Sequence, residues 1–225
     1  MNQINISISN LPPQYLSFVE DTIAHANANG VTVFLSADRG VLIQEGTEAN
    51  GFFTDENHAD YPLTLAAACG QSLDSWFPVF VHESSHMDQY FEDSPLWTGN
   101  KVKGYDAWDI VDLWMDGLIE LNSDQLKQYV GAARDLELDC EMRSVKKINQ
   151  YNLPIDVSRY IKTANAYVLF YNIMMITKKW YTLGEEPYNN EAIVEAMPDS
   201  FCFDFNNPPQ VLIDLMLKEL NMRPF

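Results

Sequence analysis

Residues 82 to 86 read His82-Glu83-Ser84-Ser85-His86 and follow the apolar run Trp76-Phe77-Pro78-Val79-Phe80-Val81. On a helix, two histidines four positions apart project from one face, one turn above the other. Two imidazoles so placed can ligate a single zinc ion. The intervening glutamate then stands beside the metal, able to take a proton from bound water. The apolar residues around the pair, Val79, Phe80, Val81 and Met87, are not those of a helix standing in solvent.

A catalytic zinc takes three protein ligands and keeps a fourth position open for water. The chain has four histidines. Neither of the other two suits the third position, because His25 belongs to an early helix and His58 to the polar loop 54–60. The better source is the segment Ala133-Arg134-Asp135-Leu136-Glu137-Leu138-Asp139-Cys140-Glu141-Met142-Arg143-Ser144. Glu137 and Glu141 share a helical face with Ala133, Cys140, Ser144, Val145 and Ile148. Two acids on a small, apolar face are costly to bury unless they meet a cation or a donor. Asp135, Asp139, Arg143 and Lys146 form the opposite, solvated face. A second register, with Asp135 as ligand and Asp139 behind it, keeps the same spacing but puts the metal on that polar side. A charged helix without any ligand role also fits the pattern.

With both segments in view, the chain resembles a zincin metallopeptidase of the gluzincin type. In that family His-Glu-x-x-His is followed, a helix or more later, by a glutamate and a second acid four residues on. The resemblance implies zinc as cofactor, with His82, His86 and Glu137 as ligands and Glu83 as general base. It implies Glu141 as the acceptor that holds a ligand histidine, a contact that fixes the tautomer and raises ring basicity. Cys140 and Ser144 would be the small residues that let two helices approach. The departures are Glu141 where the family has Asp, Cys140 and Ser144 where it has Ala, and Asp88 where an apolar residue is usual. A fainter likeness, over Asp139 to Ser144, Tyr151 to Asp156 and Tyr160 to Tyr167, is to uncharacterised tailed-phage proteins. It bears on source rather than chemistry.

The elements that must position these residues can be sketched. A helix is expected from Pro12 to Asn29, stopped by Gly30. Strands follow at Val31 to Leu35, Val41 to Gln44, Gly51 to Phe53 and Leu63 to Ala68. Ser75 is the expected cap of the histidine helix, with Pro78 close enough to its start to be harmless. Further helices are expected over Asp106–Met115, Ser123–Gln150, Ile155–Tyr181 and Pro209–Leu220. This order is α+β: a small mixed sheet in the N-terminal half, the histidine helix, then a mostly helical C-terminal half. The expectation is one zincin-like domain over 1–225, with lobes of about 1–95 and about 96–225. The resemblance implies a sheet-edge strand that pairs with an extended substrate, and Leu63 to Ala68 is the expected one. Tyr160, Tyr167 and Tyr171 lie on one stripe with Ala164, where one hydroxyl could assist an oxyanion, although such stripes more often build core.

Composition narrows the partners. With 32 acidic against 14 basic residues the net charge is −18, which repels nucleic acid. Three scattered cysteines (Cys69, Cys140, Cys202) form no disulfide framework and suit a reducing cytoplasm, and Met1-Asn2-Gln3-Ile4-Asn5-Ile6 lacks the charged-then-apolar layout expected of a signal peptide. The longest apolar stretch, Ala166 to Ile176, is interrupted by Asn172 and too short for a bilayer. The expected partner is a peptide or protein substrate. The alternatives are a zinc-binding scaffold with little turnover, and an acidic interaction protein aimed at a host factor.

Overall fold

The structure is a computed structural model that describes residues 3–44, 47–55, 63–102, 105–182 and 184–225. Its architecture is mixed α+β, with the sheet in the N-terminal half. The chain divides into two compact units, Met1–Glu92 with Arg143–Ile155, and Asp93–Met142 with Asp156–Phe225.

The first unit carries the sheet. Its elements are β1 (Gln3–Ile4), α1 (Pro13–Ala28), β2 (Thr32–Ser36), β3 (Val41–Gln44), β4 (Thr47–Ala49), β5 (Gly51–Thr54), β6 (Thr64–Ala68) and α2 (Leu73–Phe91). Pro12 and Pro13 open α1, where a missing N–H costs nothing, and Gly30 closes it at φ +78°. Four strands run in the order β1-β2-β6-β5. The first three are parallel, whereas β5 is antiparallel to β6 and pairs Gly51 with Ala67 and Thr54 with Thr64. β3 and β4 form a separate hairpin.

β6 is the middle of this sheet, not its edge. Every residue of β6 is buried, and hydrogen-bonded strands flank it on both sides. Leu63 to Ala68 therefore cannot receive a substrate strand, and its near-continuous apolar character is that of a strand covered on both faces. Among the described residues the sheet ends in β1 and β5.

α2 is built on a stripe of Trp76, Phe77, Phe80 and Met87, spaced at three, four and seven residues and all buried. Phe77 and Phe80 meet Phe18 of α1 edge-on at 5.7 and 5.9 Å, and Tyr15 meets Phe77 at 4.5 Å. The helix starts earlier than expected, since its N-cap is Ser72 and not Ser75. Pro78 consequently lies inside the helix, where it removes one backbone donor. The two serine hydroxyls bond each other at 2.7 Å.

The second unit contains α3 (Pro95–Gly99), the short strands β7 (Lys101–Val102) and β8 (Tyr105–Asp106), and the helices α4 (Ala107–Met115), α5 (Ser123–Gln150), α6 (Val157–Thr177), α7 (Glu191–Ala196) and α8 (Gln210–Glu219). α5 belongs here as far as Met142, and its last turns belong to the first unit. Val168, Leu169, Phe170, Ile173 and Met174 of α6 form the centre of a core completed by Val111, Val130, Ile193 and Met216. Side-chain caps start α4 (Asp106 accepting from the Trp108 N–H, 2.8 Å) and α6 (Asp156 from that of Arg159, 3.0 Å). α6 ends at Thr177 rather than Tyr181, with Lys178 left-handed at φ +55°. Leaving the helix there lets Trp180 and Tyr181 turn back onto Phe170, each with ring centroids 5.2 Å away.

α4 carries a small electrostatic fault. Asp109, Asp112 and Asp116 lie on one side of it, and the Asp112 carboxyl is held above the usual range by partial burial first, then by Asp116 and Asp109. A carboxyl raised in the folded state weakens folding when ionised, so stability is recovered as pH falls through its titration. Asp112→Asn is therefore expected to raise Tm at pH 7 by about 1 °C, from a few tenths of a kcal/mol of relieved repulsion at an exposed site. Calorimetry near pH 3 should show the gain gone. No described helix is long and apolar enough to cross a membrane.

Candidate metal centre

The helical repeat of α2 places Val79, His82, Glu83, His86 and Tyr90 on the face away from Phe77 and Phe80. The His82 and His86 rings lie one above the other, with centroids 4.7 Å apart and planes at 85°. His86 and Glu83 are buried, and His82 is half-buried. The Nδ1 atom of His86 lies 2.8 Å from Oε1 of Gln89, which is fully buried one turn on.

β5 forms the floor beneath Glu83. A Cβ added at Gly51 would stand 3.0 Å from Cγ of Glu83, 2.7 Å from Cγ1 of Val79 and 2.9 Å from the Ala66 carbonyl oxygen. Only a glycine fits there, so strand and helix touch backbone to side chain at Glu83. Further along, Phe53 of β5 packs on Tyr90 with centroids 5.8 Å apart.

The end of α5 that belongs to this unit is fastened to the other flank of α2. Ser85 and Ser144, both fully buried, share a hydroxyl hydrogen bond of 3.0 Å, and Ser85 also donates to the Val81 carbonyl. Two small side chains meeting there bring the helix backbones close. Ser85→Leu is accordingly expected to cost about 1–3 kcal/mol by overpacking, measurable as a lower urea midpoint with an unchanged slope. Beside this contact, Lys147 reaches Oδ2 of Asp88 at 2.8 Å and donates to Oγ of Ser84 at 2.9 Å. Asp88, the polar residue where the resemblance led one to expect an apolar one, is thus half of an ion pair that ties α2 to α5.

Further up α5, Glu141 is buried and accepts a 2.6 Å hydrogen bond from the Tyr160 hydroxyl. Oε2 of Glu137 is also buried. Burial, followed by the charge of Glu137, lifts the Tyr167 phenol well above its ordinary value, and its oxygen lies 3.4 Å from that of Tyr171. Tyr171 is buried in the core of the second unit, and Tyr167 packs against it. Asp135, by contrast, is half-exposed and paired with Arg134 at 2.8 Å. Arg134 is itself buried and donates to the Phe205 carbonyl and Oδ1 of Asn206. Asp135 has a structural partner on the polar side of α5, as the solvated-face reading expects.

His82, His86 and Cys140 each offer a ligand atom, and the three atoms lie within 4.8 Å of one another. This is a group that could hold a metal ion. Cys140 stands one turn before Ser144 on the same face of the unbroken α5. Sequence reasoning treated Cys140 only as a small packing residue. The signal available was a soft donor on the face that carries Glu137 and Glu141. Gln89 was also missed, although its position three residues after His86 is a helical neighbour spacing. His58 lies outside the described residues, and His25 packs on Phe91 with centroids 6.0 Å apart. The three cysteines are free thiols, and burial pushes that of Cys69 up to about 12.

No family model, curated protein or solved structure matches this chain.

Proposed function

We propose that the chain is a zincin-like zinc metallopeptidase that hydrolyses peptide bonds. The observation that carries this reading is the pair of adjacent, edge-on imidazoles on α2 with the buried Glu83 between them in sequence. The donors suit zinc, since imidazole nitrogen is among its preferred ligands and the ring spacing allows both to meet one ion. His82 and His86 are the ligands from α2, and Glu137 of α5 is the third, in the register the resemblance implies. Glu141 supports the ligand shell, with its own position fixed by Tyr160. A bound zinc would supply Lewis acidity and a water acidic enough to lose its proton near neutral pH. Glu83 accepts that proton and returns it to the leaving amine. An extended peptide substrate would lie against β5, the antiparallel end strand whose Gly51 touches Glu83.

Cys140 favours a second reading, a zinc-binding scaffold with little turnover. A thiolate added to two histidines and a carboxylate would complete four protein ligands and leave no position for water, as in structural zinc sites. The net charge of −18 supports a protein or peptide partner rather than nucleic acid, and the free thiols accord with work in a reducing cytoplasm, such as that of a bacterial host. Zinc per chain, by elemental analysis, tests for the metal. Cleavage of a mixed peptide library then separates the two readings: bound zinc with no cleavage supports the scaffold.

A further inference from the structure

The contact between His86 and Gln89 determines more than packing. Both side chains are buried on α2, and Nδ1 of the imidazole lies 2.8 Å from Oε1 of the amide. A side-chain amide oxygen can only accept a hydrogen bond. The contact is therefore a bond only when Nδ1 carries the proton, which leaves the lone pair of the neutral ring on Nε2. We propose that Gln89 is a positioning residue that holds His86 in its Nδ1–H tautomer before any ion arrives, so that Nε2 is the ligating atom. Its consequence for metal binding rests on the zinc reading above, whereas the tautomer is a property of the metal-free chain.

Three features support a role beyond filling space. Position 89 is wholly enclosed, and an apolar side chain of similar size would fill it without the cost of burying an amide. The spacing of three residues puts the acceptor and the ring on one rigid element, which fixes their relation to each other. The acceptor is also neutral. It orients the ring without adding a further carboxylate to a helix that already buries Glu83.

The test reads the imidazole directly. In metal-free protein with nitrogen-15-labelled histidine, long-range proton–nitrogen correlation should show His86 protonated at Nδ1, with an unprotonated Nε2. Gln89→Glu, which keeps an acceptor at the same reach, should retain this pattern. Gln89→Leu should lose it while the far-ultraviolet circular dichroism stays unchanged. Zinc affinity, measured by competition with a chromophoric chelator, should fall about 10–100-fold in Gln89→Leu and recover in Gln89→Glu. A wild-type ring protonated at Nε2 overturns the proposal, because the amide would then be presenting its NH2 group. An unchanged tautomer in Gln89→Leu overturns it as well. The wild-type spectrum decides the point even if the leucine variant does not fold. An Nδ1–H tautomer in a chain that binds no zinc would sink the metal reading and leave the positioning role of Gln89 standing.

Discussion

Glu83→Gln is expected to keep one zinc per chain and to lower kcat by about 10²–10⁴-fold, the usual worth of a positioned general base. The amide is nearly isosteric with the carboxylate, and the site around it is shaped closely enough to hold either. Its floor is the backbone at Gly51, and the side chain itself is buried. What the amide lacks is a site basic enough to take the water proton and pass it on. Retained metal with lost turnover therefore isolates proton transfer from metal binding. Unaltered hydrolysis in a variant with full zinc content would remove Glu83 from this role.

Removing a proposed ligand should have the larger effect on the metal. His82→Ala is expected to reduce bound zinc to background and turnover with it, because a single remaining imidazole on α2 cannot hold the ion in competition with solvent. Glu137→Ala should behave alike, while Asp135→Ala should keep full zinc, since Asp135 is half-exposed and committed to Arg134. Cys140→Ser distinguishes the two functional readings. If the site is catalytic, the serine variant keeps its zinc, and the cobalt-substituted wild type shows no sulfur-to-cobalt charge-transfer band. A strong band that disappears with Cys140 would place a thiolate on the ion and favour the closed scaffold. Elemental analysis and the cobalt spectrum read these outcomes without an activity assay.

The elements that hold the chemistry were legible where a pattern ran long enough to be periodic. α5 has the expected bounds, Ser123–Gln150, and α1 and α4 begin and end within a residue or so of expectation. α3 and α7, at five and six residues, are too short for a hydrophobic repeat to register. The errors share a cause. The run Leu63 to Ala68 read correctly as a strand, but whether a strand is central or terminal depends on which other strands pair with it. β2 is separated from it by three intervening strands, and its place in the order is not a local property. Likewise Ser75 is a good cap by type, but the helix begins at Ser72.

The site divides along the same line. The pairing of the two histidines was legible because one helix fixes their relation. Gln89 stands on that helix too, three residues after His86, a spacing at which helical side chains meet. Asp88 had no explanation in sequence, because the partner that neutralises it, Lys147, lies on α5. Cys140 was visible as a small residue, and its standing as a donor emerged only with coordinates.

At Gly51 the room for a side chain has been given over to the stem of Glu83. The methylenes of Glu83 rest on peptide backbone, which moves only when the sheet moves. The carboxylate tip is the part of the side chain that extends beyond this contact. A strand four residues long, bearing no reactive group at that point, acts as the gauge against which the Glu83 side chain is set.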